Sequence, residues 1–347
     1  MVRRDHMLLI ALSVAQSSCL VLPRVDAPPE HIRTVDKFYS GLDSLRSVFD
    51  AHFDEPRQAH PMRFCWDYWY VPGQYTLVRT QAADYFEASD FEALTDALVA
   101  YGETALGCRS ITPPWLSYYV DGCEQKMHAD VPQGPLAYVL SLTDWEARRF
   151  VGGETQLLQP HVLDYWRNFD SSRGLESSDL ISEVEPLYNR LTIFDARLPH
   201  GVSRVEGERD PRKARLVLHG WFTEPEPFFD GGLSADSVET GLNAALERAY
   251  AAVGPPTVTG LLSVRLDVSA SGEVVGIERL VDTLVVDPGQ LSMPPLREAS
   301  DGDSVKCMIR EERSRVLGTI FDELSKVTFE AGDTEDATSI TIPFVFD

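Results

Sequence analysis

Two stretches of the chain hold the residues able to do chemistry together. In the first, His128-Ala129-Asp130, an imidazole and a carboxylate stand two positions apart, ahead of the Pro/Gly turn Val131 to Pro135. Residues i and i+2 at the end of an extended strand point to the same side. One ring nitrogen and one carboxylate oxygen can then reach a single ion. That is two-thirds of the two-histidine, one-carboxylate set that holds non-haem Fe(II) with positions left open for reactants. The tripeptide alone fits an ordinary surface turn equally well.

A third ligand must come from a distant strand. The candidate is His200 in NRLTIFDARLPHGVSRV, where a strand over Leu191 to Phe194 runs into a loop and His200 opens another apolar segment. Fifteen residues later begins RLVLHGWF, with Arg215, Val217 and His219 on one face and Leu216, Leu218 and Gly220 on the other. If Val217 points into a barrel, Arg215 does too. An arginine buried without a partner is costly, so an inward Arg215 calls for an anion. Its planar fork suits a carboxylate held by two bonds. His219 reads as a packed neighbour of Arg215 rather than a ligand.

The order His128-x-Asp130, Gly152-Gly153-Glu154, Phe194 six residues before His200-Gly201-Val202, then Arg215 and Trp221, resembles the 2-oxoglutarate- and Fe(II)-dependent dioxygenases, in particular their prolyl 4-hydroxylase branch. The resemblance runs from about Ser117 to Phe222. It implies a double-stranded β-helix, or jelly roll, in which His128, Asp130 and His200 are the catalytic iron ligands. It also implies that Arg215 holds the distal carboxylate of 2-oxoglutarate and that Tyr119 lines the cosubstrate pocket. One departure stands out: Ser141-Leu142-Thr143 occupies the place where many relatives carry Tyr-Leu-Asn, so that tyrosine's hydrogen bond to the cosubstrate is either absent or supplied by another residue. The implied cofactors are Fe(II), 2-oxoglutarate as cosubstrate and O2, with ascorbate in support. The implied reaction is hydroxylation of an amino-acid side chain, such as a prolyl residue in a peptide or protein, coupled to decarboxylation of 2-oxoglutarate to succinate. The competing reading is a non-catalytic envelope scaffold that keeps a metal-binding jelly roll. Arg215 separates the two, because a mere metal binder has no need of an inward cation.

Elements that could position these residues follow along the chain. HIRTVDKFYS alternates like a strand. GLDSLRSVFDAHF puts Leu42, Leu45, Val48 and Phe49 on one helical face, and DFEALTDALVAYGETAL puts Leu94, Leu98 and Tyr101 on another. From Trp115 to Phe222 short apolar runs recur between turns, which favours an antiparallel sandwich or barrel over alternating βα units. The fold class expected is mainly β with supporting helices, a jelly roll joined to a small α+β (ββαβ) module. The expected domain limits are a leader over 1–24, the dioxygenase domain over 28–226, a linker over 227–243 and the module over 244–347. In that module, SVRLDVSASGEVVGIERL, Cys307 and ITIPFVF resemble the C-terminal domain of TonB-type energy transducers. That likeness implies a partner in the cell envelope.

Other segments carry weaker expectations. The insertion over 159–189, with His161, Tyr165, Trp166 and Phe169, is read either as a lid over the substrate or as a short helix packed on the barrel. Trp115 and Trp145 are expected in the core, Asp195 and Arg197 as a local turn pair, and Glu206 to Lys213 as a solvated hairpin tip.

Composition bounds the alternatives. The chain has 347 residues, 44% of them hydrophobic, enough to bury real cores. Its net charge of −23 argues against binding nucleic acid or an anionic membrane by charge. The substrate expected is a peptide, protein or amino acid. The cysteines are Cys19, Cys65, Cys108, Cys123 and Cys307, with no CxxC pair and no evident disulfide framework. Arg3 and Arg4 ahead of an apolar run from Met7 to Val14 have the layout of an export signal, while Asp5 and His6 interrupt its basic part. Both a cytoplasmic place and export to the periplasm or envelope fit that N-terminus.

Overall fold

The structure is a computed structural model describing residues 20–164, 172, 174–287, 289–291, 302–332 and 335–346. The expected leader therefore lies outside the described residues, apart from its last few. Among them, twelve strands form one curled antiparallel sheet: β1 Ile32–Asp36, β2 Asp67–Val71, β3 Tyr75–Gln81, β4 Ser110–Ile111, β5 Trp115–Tyr119, β6 Glu124–His128, β7 Leu136–Ser141, β8 Thr155–Leu158, β9 Ile181–Val184, β10 Arg190–Asp195, β11 His200–Val202 and β12 Arg215–Thr223. Their spatial order is β1-β10-β7-β12-β5-β3-β6-β11-β8-β9, with β2 on β3 and β4 on β12. The sheet turns back on itself at β3, which pairs with β5 through Val78 to Gln81 and with β6 through Tyr75 and Thr76. One wall thus runs from β1 to β5 and the other from β6 to β9, as in a jelly roll.

Alternation along β12 explains why the first wall is covered on both sides. Leu216 and Leu218 join a fully buried cluster with Leu116, Leu140 and Leu191, closed from outside by Leu42, Leu45 and Phe49 of helix Leu42–Phe53 and by Leu94 and Leu98 of helix Ala88–Tyr101. Burying each such leucine contributes about 1.5–3 kcal/mol. Arg215, Val217 and His219 take the other face and line the barrel cavity. Both helices lie where their periodicity places them.

A second sheet contains β13 Phe228–Gly231, β14 Val258–Val268, β15 Val274–Asp282, β16 Val285–Val286 and β17 Thr338–Phe346, ordered β13-β17-β14-β15 with β16 on β14. Helices Ala235–Val253 and Gly302–Ser325 cover one of its faces, burying Val238, Ala245, Leu317 and Phe321 against Leu262, Val264 and Leu266. The expected ββαβ core is present. The linker expected over 227–243 is not: those residues supply β13 and the first half of a helix. The Pro and Gly residues there mark the turns, but Val238, Leu242 and Ala245 repeat at helical spacing and bury on the sheet. Ser234 caps that helix, its Oγ accepting from Ser237 N–H at 3.2 Å.

The two sheets are fastened to each other. Leu261 and Val281 sit in the cluster that also holds Leu106, Leu136 and Ile193 of the barrel. Glu30 N–H donates to Asp282 O at 2.8 Å, and Arg33 donates to Leu280 O at 2.7 Å and to Ala105 O at 3.1 Å. Arg197 does pair with Asp195 as expected, and it also reaches across to Thr259 Oγ1 at 2.9 Å and Thr283 O at 2.8 Å.

Candidate metal centre and anion pocket

Strands β6 and β11 are neighbours, and their register sets His128 directly opposite His200. Asp130 stands just beyond β6, its N–H donating to Ala196 O at 3.0 Å, while Ala196 N–H donates to Pro135 O at 3.2 Å. These bonds tie the turn after β6 to the loop before β11. Gly201 lets the two strands close: a Cβ there would lie 2.6 Å from Gln125 O.

The three side chains converge. One donor atom from each of His128, Asp130 and His200 lies within 4.8 Å of the others. His200 Nε2 is 3.2 Å from Asp130 Oδ2, and His128 Nε2 is 3.7 Å from Asp130 Oδ1. The outer ring nitrogens fix the tautomers. His128 Nδ1 lies 2.8 Å from Lys126 O, and His200 Nδ1 lies 2.9 Å from Leu198 O. A carbonyl oxygen only accepts, so each Nδ1 carries a hydrogen and each Nε2 is directed at the carboxylate. Where a ring carries no second hydrogen, its Nε2 offers a lone pair toward the carboxylate, and a metal ion between them would satisfy both. Two imidazoles and one carboxylate form a donor set that suits Fe(II).

Electrostatics favours the ligating forms. Burial holds the His128 imidazole below its ordinary range, and the neighbouring His200 pushes the same way. Burial pushes Asp130 up, but His200 and His128 beside it outweigh that and leave it below the usual carboxylate range. Metal binding needs both groups without the extra proton.

The triad opens into a cavity of about 110 Å³ whose deeper wall carries Arg215, Tyr119 and Thr155. Arg215 is 1% exposed. Its Nη2 donates to Thr155 Oγ1 at 3.2 Å, while Nε and Nη1 have no hydrogen-bond partner among the described residues. Its guanidinium carbon lies 4.6 Å from the centre of the Tyr119 ring. Tyr119 is buried, which pushes its hydroxyl up to about 12 against the opposing charge of Arg215, and that hydroxyl donates to Gln125 Oε1 at 3.0 Å. A buried guanidinium with two unbonded donors and no ion pair among the described residues has the character of an anion site. The Gly-Gly-Glu turn makes room for it: Gly153 has φ +88°, and a Cβ there would lie 3.0 Å from Phe150 and 3.3 Å from Arg215 Cδ.

The structure therefore brings together all five residues singled out from sequence: His128, Asp130, His200, Arg215 and Tyr119. His219 lines the same cavity, and its Nε2 is 2.9 Å from Ser117 Oγ. Burial and the charges of Arg215 and Arg79 pull it down to about 3, which favours the neutral ring, and it packs beside Arg215 outside the triad. Trp145 is core as expected, 2% exposed. Trp115 is not: it faces the cavity, over the Arg79 guanidinium. Ser141 and Thr143 are not among the residues lining the cavity, and their hydroxyls donate to Pro186 O and Leu216 O. His161 lies in an exposed turn, and Tyr165, Trp166 and Phe169 fall outside the described residues. Arg79, Trp69 and Tyr75 also line the cavity and escaped the sequence reading. The period-two step Tyr75, Leu77, Arg79 carried the same signal that turned Arg215 inward.

No protein-family model matches the chain. A comparison with curated proteins gave no match either. Among solved structures, a Pseudomonas putida prolyl-4-hydroxylase matches at 16% identity and TM-score 0.37, over 56% of this chain and 92% of that one. A Trichoplax adhaerens prolyl hydroxylase, in complex with a hypoxia inducible factor oxygen degradation domain peptide fragment, matches at 12% identity and TM-score 0.39, over 56% and 83%. A 2OG-Fe(II) oxygenase family oxidoreductase from Burkholderia pseudomallei matches at 13% identity and TM-score 0.33, over 56% and 85%. None of these supports the TonB-type resemblance of the C-terminal module.

Proposed function

We propose that the protein is an Fe(II)- and 2-oxoglutarate-dependent dioxygenase that hydroxylates an amino-acid side chain. One observation carries the reading. Three inward donor atoms that need a cation and a buried arginine that needs an anion share one small cavity. A scaffold that merely bound a metal would leave Arg215 unexplained.

His128, Asp130 and His200 would hold the ion. Bound iron would supply the oxidative chemistry, in which 2-oxoglutarate, O2 and a substrate C–H bond give succinate, CO2 and the alcohol. The chain's own residues do the rest. Arg215 and Thr155 receive the distal carboxylate at the closed end of the cavity, which fixes the reach of the keto-acid end toward the triad. His219 stays neutral and bonded to Ser117, so it adds no competing charge beside Arg215. The apolar walls, Val217, Val202 and Phe194 among them, keep water from the reacting groups.

The test is succinate formation from 2-oxoglutarate with Fe(II) and ascorbate, with and without a peptide library. Wild type should turn over. His128→Ala should lose on the order of a hundredfold or more through lost metal affinity. Arg215→Ala should raise the KM for 2-oxoglutarate by on the order of a hundredfold, because it removes one partner of a buried charge pair. Wild-type protein that releases no succinate under any of these conditions would sink the reading.

A further inference from the structure

A second arginine faces the same cavity, and nothing above employs it. Arg79, on β3, lies between two indoles: its guanidinium carbon is 3.6 Å from the centre of one Trp69 ring and 4.2 Å from that of a Trp115 ring. No hydrogen bond from any of its nitrogens is found among the described residues, and its buried Nε has no partner. Its nearest carboxylate, Asp67, is 3.9 Å away and 66% exposed, a weak partner for a half-buried cation. Two indole rings thus lie against the guanidinium, and its residue lines the cavity.

The position of Arg79 distinguishes it from Arg215. Arg79 pairs in register with Ser117, whose hydroxyl contacts His219, whereas Arg215 pairs with Tyr119 farther along β5. Arg79 stands on the strand that also carries Tyr75, whose ring meets the His128 ring edge-on at 5.1 Å. Among the described residues, the cavity lining therefore has two arginines and one carboxylate, Asp130, which belongs to the triad. One dicarboxylate cosubstrate satisfies Arg215 and the metal, and Arg79 is left over.

We infer that Arg79 receives a carboxylate of the substrate itself, held edge-on by the planar fork while Trp69 and Trp115 keep that fork rigid. This rests on the dioxygenase reading for the word substrate, but not for the anion site. The carboxylate could belong to a free or N-acylated amino acid, to a peptide C-terminus, or to an Asp or Glu side chain. A guanidinium already stacked loses little freedom on binding, and an amide in the same place would leave its donors poorly matched.

The two tryptophans report on the site directly. The full-length protein, held without O2 in Fe(II) and saturating 2-oxoglutarate, is titrated by tryptophan fluorescence and calorimetry. The probes are N-acetyl amino acids as free acids and as primary amides, together with short peptides ending in acid or amide and carrying Glu or Gln. The expected result is that the acids that bind do so on the order of thirtyfold or more tighter than their amides. Arg79→Gln should erase that preference and leave the dissociation constant of 2-oxoglutarate unchanged, while Arg215→Gln weakens 2-oxoglutarate. Arg79→Lys keeps the charge without the fork and should retain only part of the preference, which also carries the test if the glutamine variant fails to fold. The inference is overturned if no acid in the panel binds better than its amide, or if Arg79→Gln weakens 2-oxoglutarate as much as Arg215→Gln does. Acid preference in a protein that makes no succinate would keep the site and discard the dioxygenase reading. The panel arms show which source of carboxylate is taken.

Discussion

At the scale of single residues, the site is defined by which hydrogen-bond groups are idle. The Nδ1 atoms of His128 and His200 are spent on backbone carbonyls, and their Nε2 atoms are both directed at the Asp130 carboxylate. Arg215 spends one nitrogen on Thr155 and keeps two. The space Arg215 needs depends on Gly153, which combines φ +88° with close contacts to Phe150 and to Arg215 Cδ. Gly153→Ala should therefore lower stability by about 1–3 kcal/mol from backbone strain alone. It should also raise the KM for 2-oxoglutarate more than it lowers turnover. Denaturant unfolding together with steady-state kinetics checks both parts, and an alanine variant of unchanged stability and KM would contradict the packing argument.

At the scale of elements, the loop from β10 to β11 does two tasks. It carries His200 into place, and through Asp195 and Arg197 it meets the second sheet. Asp195 is 2% exposed. Burial pushes its carboxyl up, but His31, 3.4 Å away, and Arg197 more than offset that and hold it at about 2. Its folded value lies below its unfolded one, so its contribution is full above pH 4 and is lost as the pH falls from about 4 toward 2. Integrated, that contribution is about 2 kcal/mol. Comparing wild type with Asp195→Asn by denaturant titration from pH 6 to pH 2.5 should show a stability gap that narrows over that window. A gap that stays constant with pH would mean the carboxylate charge is not what matters. The same elements show what could be read from sequence. Strong two-residue alternation in RLVLHGWF and the His-x-Asp spacing located the strands and the triad. DGGLSADS hid a helix start, because its glycines speak louder than the spacing of Val238, Leu242 and Ala245. Arg79 was missed although Tyr75, Leu77 and Arg79 share one face of β3, because the indoles that hold it come from β2 and β5, far apart in the chain.

At the scale of the whole molecule, the two sheets share a core. Leu261 and Val281 are packed among Leu106, Leu136 and Ile193, and Asp282 is bonded by Arg313 and Arg279 on one side and receives Glu30 N–H on the other. The chain should therefore unfold in one calorimetric transition, and Leu261→Ala should lower that single Tm, with a cost of about 2–5 kcal/mol. Two separate transitions would show that the junction is weaker than its packing suggests. The strand order also bears on how the protein is made. β1 must wait for β10 to leave the ribosome, since Asp36 pairs with Arg190, and β13 must wait for β17, since Phe228 pairs with Thr341. Pairings this distant in sequence slow folding and leave sheet edges bare meanwhile. Nascent chains of this protein should thus depend on chaperones until β17 has been translated, and the His128, Asp130 and His200 cluster, carried by β6, the turn after it and β11, can assemble well before that point.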